Sequence, residues 1–415
     1  MNLYILNDAS GRAAVYGIKT YLRELTREIR FYDVKVTVVH IFSEKPELEM
    51  IEQEGIQHWY IPSLNKKEQS RENGKRDLLY YKNIVYLLRR KISKNTVKLI
   101  FQLNFNYCQV LAEGLKEAFE CKLVWVGHYL NWSISLRGNL EHLKSMLSKP
   151  QKERDNVEQA ICYGFEEEKK LLKTVDHIIS LTTYMKNLFC EEYGIDAAKI
   201  SVIPNGLADT SKDVLTDKIQ LRTQWKFSAN EKLILFAGRL DIIKGLDYLI
   251  QAFREVLNVI PNSRLMIVGD GPYNFYLRKS IDICSKITYS GLVSQSELSE
   301  LYHIADIGII PSLYEPFGYV ALEMMMHGLP MITTATSGLN ELLEEGKCAL
   351  KVPIHFGDIS KEIDILLLAQ KIVFLLKNPY EANRLKINAR KRYEKQYTTE
   401  VAGQNMFQFY KSLYV

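Results

Sequence analysis

Ala305-Asp-Ile-Gly-Ile-Ile-Pro-Ser312 and, after Leu313 and Tyr314, Glu315-Pro-Phe-Gly-Tyr-Val-Ala-Leu-Glu323 decide the fold. The first stretch is a short apolar run closing on Pro-Ser, which reads as a buried strand entering a loop. The second passes through a Pro-Phe-Gly turn into an apolar helix start. Strand, loop and helix in that order form the βα unit of an open parallel sheet, where ligands gather beyond the strands' carboxyl ends. The turn puts Glu315 at the mouth of the crevice and Glu323 about one and a half turns into the helix. Two carboxylates so placed can accept hydrogen bonds from sugar hydroxyls, while the helix N-terminus attracts a phosphate. An arbitrary pair of glutamates at this spacing reads as a surface residue and a solvated helix residue. The strand before the pair and the turn between its members set this pair apart.

Working outward, the same alternation recurs along the chain. Strand-like apolar runs at 3–6, 35–40, 99–103, 123–127 and 177–181 are separated by helical periods, and a second series follows at 232–237, 264–268, 287–289, 307–310 and 331–333. Alternating β and α with buried strands predicts parallel, doubly wound sheets, so the fold class is α/β with two Rossmann-like domains. Ile200-Ser-Val-Ile-Pro-Asn-Gly206 ends in a turn and marks the boundary. The final helix, over 400–413, is expected to cross back onto the first domain. The expected domains are therefore 1–206 plus 396–415, and 207–395. Gly269-Asp-Gly-Pro272 places proline where a dinucleotide-binding helix should open, which weakens a dehydrogenase reading.

Composition excludes several classes. With 415 residues, 25% charged, and a net charge of +5, the chain is only mildly basic, and nucleic acid is not an expected partner. The positive excess is local: residues 66–98 hold eleven Lys and Arg against three acids. Within this stretch, apolar residues at 78, 81, 84, 85 and 88 keep a helical period. Such a helix can rest on an anionic membrane or turn its apolar face to the core with a basic outer face, and the second reading is favoured slightly. Six scattered cysteines, the absence of a basic N-terminal leader and of any long apolar run lead to the expectation of a cytoplasmic protein, at most peripheral to the inner face of a membrane.

Leu235-Phe-Ala-Gly-Arg-Leu-Asp-Ile-Ile-Lys-Gly245 carries Arg239 and Lys244 between a strand end and a helix start. A guanidinium fork and an ammonium point charge there can bracket a diphosphate. In the first half, His128 ends the strand Leu123-Val-Trp-Val-Gly-His128. Gly17 opens a helix and would let backbone approach a phosphate or an acceptor, although a plain turn glycine fits equally. Ser337-Gly-Leu-Asn-Glu341 is a further small-residue turn. The aromatic clusters at 104–107 and 129–132 can stack on sugars or belong to the core. No Asp-x-Asp sits at a strand end to hold a divalent ion, so no metal and no cofactor are expected.

The second half resembles the donor-binding domain of GT-B glycosyltransferases, specifically the retaining family 4 group. The carrying motifs are Gly238-Arg239 with Lys244-Gly245, Gly269-Asp-Gly-Pro272, Gly291-Leu-Val293 and Glu315-Pro-Phe-Gly with Glu323, with Ile203-Pro-Asn-Gly206 at the hinge. The first half matches more thinly, through the turn at Gly17, His128 and Asp176-His-Ile-Ile-Ser-Leu-Thr182. The resemblance implies two domains facing a central cleft and metal-independent transfer of a hexosyl or N-acetylhexosaminyl group. The donor would be a nucleotide-diphosphate sugar, and the acceptor hydroxyl would lie on a glycan, a lipid-linked or a peptide acceptor. It implies that Arg239 and Lys244 hold the diphosphate, that Glu323 binds ribose and that Val293 offers backbone to the base. Glu315, in the Pro316-Phe317-Gly318 turn, would grip the donor sugar, which His128 would face from the other domain. Tyr16 and Ser337 stand where the family often has glycine. A nucleotide-sugar epimerase, a phosphorylase on the same fold and a non-catalytic partner subunit remain as alternatives.

Overall fold

The computed structural model describes residues 1–10, 17–63, 73–93, 95–106, 108–214, 217–356 and 361–414, with side chains 73–77, 356 and 361 left aside. The chain divides into two units. One comprises Met1–Trp132, Lys144–Gly206 and Thr399–Val415, and the other Ser133–Leu143 and Leu207–Thr398. The ranges expected from the sequence differ from these in two places. Residues 133–143 group with the second unit because their turn packs on Tyr314, and the crossing back begins at Thr399 rather than 396.

The first unit is built on an eight-stranded sheet. Its strands are β1 (Asn2–Asp8), β2 (Lys35–Ser43), β3 (Glu49–Gln53), β4 (Ile56–Pro62), β5 (Leu99–Leu103), β6 (Cys121–Gly127), β7 (His177–Ser180) and β8 (Ile200–Val202). The spatial order is β3-β4-β2-β1-β5-β6-β7-β8, and every pairing is parallel except β3 with β4. All five residues of β5 are buried, as expected of a strand covered on both faces. The β3–β4 hairpin was missed in the sequence because Glu49-Met-Ile-Glu-Gln53 is polar and mostly solvent-facing, with no buried face to imprint a period.

Helices α1 (Gly17–Ile29), α2 (Asn73–Lys91) and α3 (Asn156–Thr174) belong to this unit. Helix α2 turns Tyr80, Tyr81, Ile84 and Leu88 into the core and leaves Leu79, Lys82, Tyr86, Arg89, Arg90 and Lys91 outside. The core-facing reading of this segment holds for the described part; residues 66–72 and Lys94 lie outside the described residues. The second unit carries β9 (Lys232–Ala237), β10 (Ser263–Val268), β11 (Ile287–Gly291), β12 (Ile307–Ile310), β13 (Met331–Thr334) and β14 (Leu350–Val352). Their order is β11-β10-β9-β12-β13-β14, all parallel. A small antiparallel hairpin, β15 (Ile354–Phe356) with β16 (Lys361–Ile363), stands apart. Strand β9 lies between β10 and β12, so the winding direction reverses there. In open α/β sheets, the crevice at such a reversal is where ligands bind.

Helices α4 (Leu246–Val259), α5 (Tyr319–Met326) and α6 (Ser337–Leu342) follow β9, β12 and β13, and the last helix is α7 (Thr399–Ser412). As expected, α7 packs on the first unit. Thr399 donates to the buried Glu24 carboxylate at 2.6 Å, Phe407 stacks on Tyr32 at 4.4 Å, and Tyr410 donates to the Gln102 side chain. Among the described residues, no helix is long and apolar enough to cross a membrane.

Candidate active site

The switch point of the second sheet assembles the sequence-predicted cations and the first carboxylate. Strand β9 ends at Ala237 and its neighbour β12 at Ile310, so the two loops that follow emerge side by side. They are fastened to each other, since the amide of Leu313 donates to the Ile243 carbonyl at 2.8 Å. Gly245 makes the closest approach. Its φ of 68° is left-handed, and a Cβ there would lie 1.8 Å from the Pro311 carbonyl oxygen. Only glycine fits that position, which explains the Lys-Gly pair in front of α4.

Lys244 Nζ meets Glu315 Oε2 at 2.5 Å, with both side chains largely withdrawn from solvent. Ser312 Oγ approaches the same carboxylate oxygen at 3.4 Å. Arg239 pairs with Asp241 at 3.0 Å. Each predicted cation thus already has a carboxylate, an arrangement that a diphosphate could take over by offering a stronger, doubly charged partner.

The loop carrying Glu315 is held from behind by a residue that departs from the glycine common in the resembled family. Ser337 has a φ of 30°, accepts a hydrogen bond from the Glu315 amide at 3.0 Å and donates to the Glu315 carbonyl at 2.7 Å. The hydroxyl closes both backbone groups of Glu315, which glycine cannot do. Pro316, Phe317 and Gly318 complete the turn, with Phe317 buried and Gly318 as the residue before α5. Glu323, on α5, accepts a hydrogen bond from the phenol of Tyr302 at 2.6 Å. Burial, then the Glu323 charge, pushes the Tyr302 pKa well up, so this phenol stays a donor. Tyr302 is a site neighbour that the sequence does not reveal, because a phenol in one helix has no spacing relation to a carboxylate in another; Asp241, two residues after Arg239, is a further one, hidden as an ordinary loop acid. Val293 sits half-exposed in the turn after β11.

In the first unit, His128 follows directly after the carboxyl end of the inner strand β6. Its ring packs edge-on against Tyr21 with 4.6 Å between centroids. The residue is half-buried, and its Nε2 is sealed from solvent with no hydrogen-bond partner among the described residues. Burial pushes the pKa down to about 3, so the imidazole is neutral. Gly17 opens α1 with open space around it. Tyr16 and Tyr107 lie outside the described residues.

Of the aromatic clusters, the described Phe105 and Trp132 resolve as core, whereas Tyr129 is half-buried. Phe105 and Trp132 are buried, and Trp132 donates to Tyr193 at 2.9 Å. Tyr193 in turn donates to Glu168 on α3 at 2.9 Å, and the same carboxylate accepts from the Asn131 amide at 2.9 Å and from Asn106 at 3.1 Å. Burial lifts the Glu168 pKa to about 7, against the opposing pull of the Asn131 and Tyr193 hydrogen bonds. This acid therefore pins the segment that follows His128.

Two family models together cover most of the chain. Glycosyl transferases group 1 matches residues 217–392, and Glycosyltransferase Family 4 matches residues 15–210. An uncharacterised glycosyltransferase of Methanocaldococcus jannaschii is 35% identical over 176 residues, 40% of this chain and 44% of that protein. Mannosylfructose-phosphate synthase of Agrobacterium fabrum is 27% identical over 363 residues, 82% of this chain and 76% of that one. The match thus spans less than half the length of the first of these relatives and about three quarters of the second. Among solved structures, the Anabaena protein HepE in complex with UDP-glucose superposes with a TM-score of 0.71 at 17% identity, covering 99% of this chain and 100% of that one.

Proposed function

Because the chain belongs to the family 4 glycosyltransferases, which have the GT-B fold, we propose that it moves a sugar from a nucleotide-diphosphate donor to an acceptor hydroxyl with retention of configuration. The observation that carries this reading is the meeting of Lys244 and Glu315 at the paired ends of β9 and β12, with Arg239 beside them. The donor diphosphate takes Lys244 and Arg239, and Lys244 turns from Glu315 to the phosphate. Glu315, released, accepts from the donor sugar's hydroxyls, and Glu323 accepts from the ribose. The bond between the anomeric carbon and the diphosphate oxygen breaks as the acceptor oxygen bonds to the same carbon from the same side. The acceptor's proton passes to the departing phosphate oxygen, so no separate carboxylate base is needed.

Developing charge on the diphosphate is met by Arg239, Lys244 and the N-terminus of α4, so the transfer proceeds without a metal ion. His128, held neutral by burial, is unsuited to serve as the base that takes the acceptor's proton. The Anabaena protein binds UDP-glucose, which makes UDP-glucose the first donor to try here. The acceptor is a glycan, a lipid-linked or a peptide hydroxyl. For a lipid-linked acceptor, the basic outer face of α2 supplies a weak contact with an anionic membrane. The test is a panel of UDP-, GDP-, ADP- and CMP-sugars in a thermal-shift assay, followed by product analysis. One donor that raises the melting temperature and is consumed only with an acceptor supports transfer. A donor interconverted without acceptor, or cleaved by phosphate, points to epimerisation or phosphorolysis.

A further inference from the structure

Three hydroxyl side chains, Thr334, Thr336 and Ser337, join the end of β13 and the start of α6 to the loop that follows β12. Thr334 and Thr336, both buried, donate to the carbonyls of Ser312 and Leu313, the latter at 3.0 Å. Ser337 accepts from the Glu315 amide at 3.0 Å and donates to the Glu315 carbonyl at 2.7 Å. The loop that carries Glu315 is thus fastened along its length to the neighbouring strand end. Gly338 closes the contact. Its amide also donates to the Glu315 carbonyl, at 2.9 Å, and a Cβ there would lie 2.3 Å from the Pro316 carbonyl oxygen.

The three hydroxyls differ in what they hold. Thr334 and Thr336 engage carbonyls ahead of Glu315, whereas Ser337 engages both backbone groups of Glu315 itself. It does so from a φ of 30°, a conformation that crowds any side chain's Cβ. Glycine takes that conformation without strain. With glycine at 337, Gly338 would still engage the Glu315 carbonyl, but the Glu315 amide would lose its acceptor. What the hydroxyl adds is therefore a fixed backbone on both sides of the Glu315 Cα, and with it the direction in which the side chain leaves the loop. The carboxylate so aimed meets Lys244 at 2.5 Å and the Ser312 hydroxyl at 3.4 Å. Backbone strain kept at such a position marks a constraint held for the site rather than for the fold.

We propose that Ser337 is a positioning residue that sets donor-sugar specificity: by locking the Glu315 backbone, it holds the carboxylate in one place and so selects the sugar whose hydroxyls meet it there. This rests on the transfer reading above, in which Glu315 accepts from the donor sugar, and deepens it. A carboxylate on a loose loop follows a displaced hydroxyl. A fixed one leaves that hydroxyl unpaired, and an unpaired polar group in a closed site is what separates one sugar from its epimer.

Calorimetry with UDP, UDP-glucose, UDP-galactose and UDP-N-acetylglucosamine tests the inference. Wild type is expected to separate the tightest from the weakest of the three sugars by about tenfold or more. Ser337→Ala, which keeps the Cβ, and Ser337→Gly, which relieves the backbone, are both expected to narrow that spread to about threefold or less. UDP affinity is expected to stay at the wild-type value in both. Ser337→Cys, whose thiol is a weaker donor and acceptor, is expected to fall between them and wild type. UDP bound by wild type with no spread among the sugars, or a spread unchanged in Ser337→Ala and Ser337→Gly, overturns the inference and leaves the donor site standing. A spread lost in Ser337→Gly alone also overturns it, since backbone freedom and not the hydroxyl would then be the cause. Loss of UDP and of all three sugars together in every variant marks Ser337 as a residue of the fold and overturns it too. Failure of wild type to bind UDP overturns the UDP-sugar donor of the transfer reading and this inference with it.

Discussion

Lys244 and Glu315 neutralise each other at 2.5 Å, so an arriving donor exchanges one ion pair for another instead of meeting bare charges. Removing a charged partner of a bound phosphate costs about 2–5 kcal/mol, and Arg239→Ala and Lys244→Ala should each weaken UDP-sugar binding on that scale in calorimetry. The two glutamates should part company. Glu323→Ala is expected to loosen UDP and UDP-glucose alike, with Tyr302→Phe as a control for the phenol that Glu323 engages. Glu315→Ala should spare UDP and abolish transfer, and equal loss of UDP in both variants would show that the division of roles is wrong. Glu168 makes a prediction about pH. Its carboxyl titrates near 7 in the folded chain against an ordinary value of 4.5. The folded chain holds a proton over that window which the unfolded chain has lost. This group's contribution to stability therefore falls as pH rises from about 4.5 to about 7, by about 3 kcal/mol in all, and is level above. Urea titrations at pH 5 and pH 8 should show Glu168→Gln gaining on wild type by that order at the higher pH. A wild-type-to-variant difference equal at both pH values would mean that the acid ionises normally. The sequence made Arg239, Lys244, Glu315 and Glu323 legible because each sits at a strand end or helix start of fixed spacing. It could not reveal Ser337 as the clamp on Glu315 or Glu168 behind the His128 segment, since these partnerships join residues 22 and 37 positions apart with no period linking them.

At the scale of elements, the strands read most clearly were those buried on both faces: β5, β9 and β12 begin and end where their apolar runs do. The β3–β4 hairpin escaped because its first strand is mostly solvent-facing. Residues 133–143 were misplaced because a turn of ordinary composition says nothing about which sheet it packs on; the decision lies in the fit of Gly138 to Tyr314. Helix α2 shows two faces with separate consequences. The inner face, with Tyr80, Ile84 and Leu88, belongs to the core, and the outer face adds exposed Leu79 and Tyr86 to Lys82, Arg89, Arg90 and Lys91. Each basic residue near an anionic membrane contributes about 1 kcal/mol, and salt screens the attraction. Sedimentation with anionic vesicles at low salt is therefore expected, reduced by added salt and by Arg89→Glu with Arg90→Glu. Equal behaviour with neutral vesicles, or no sedimentation at low salt, would make a lipid-linked acceptor the poorer choice.

For the whole molecule, a parallel sheet and a sheet parallel but for its β3–β4 pair, each reversing its winding about an inner strand, give one chain two ligand-facing edges. The second sheet gathers cations and carboxylates, and the first presents a neutral imidazole whose Nε2 lacks a partner among the described residues. A transfer that relies on Arg239, Lys244 and the α4 N-terminus for positive charge should proceed undiminished in excess EDTA. Loss of activity on chelation, restored by magnesium or manganese, would contradict that part of the mechanism. If the β9–β12 switch point is a nucleotide-sugar site worked by Lys244, donor binding depends on that ammonium. The most direct measurement is calorimetric titration of the nucleotide-sugar panel into wild type and Lys244→Ala. One nucleotide-sugar, with UDP-glucose tried first, is expected to bind wild type, and the variant is expected to bind it at least about tenfold more weakly. Saturable binding of that donor with the same affinity in the variant would contradict that dependence.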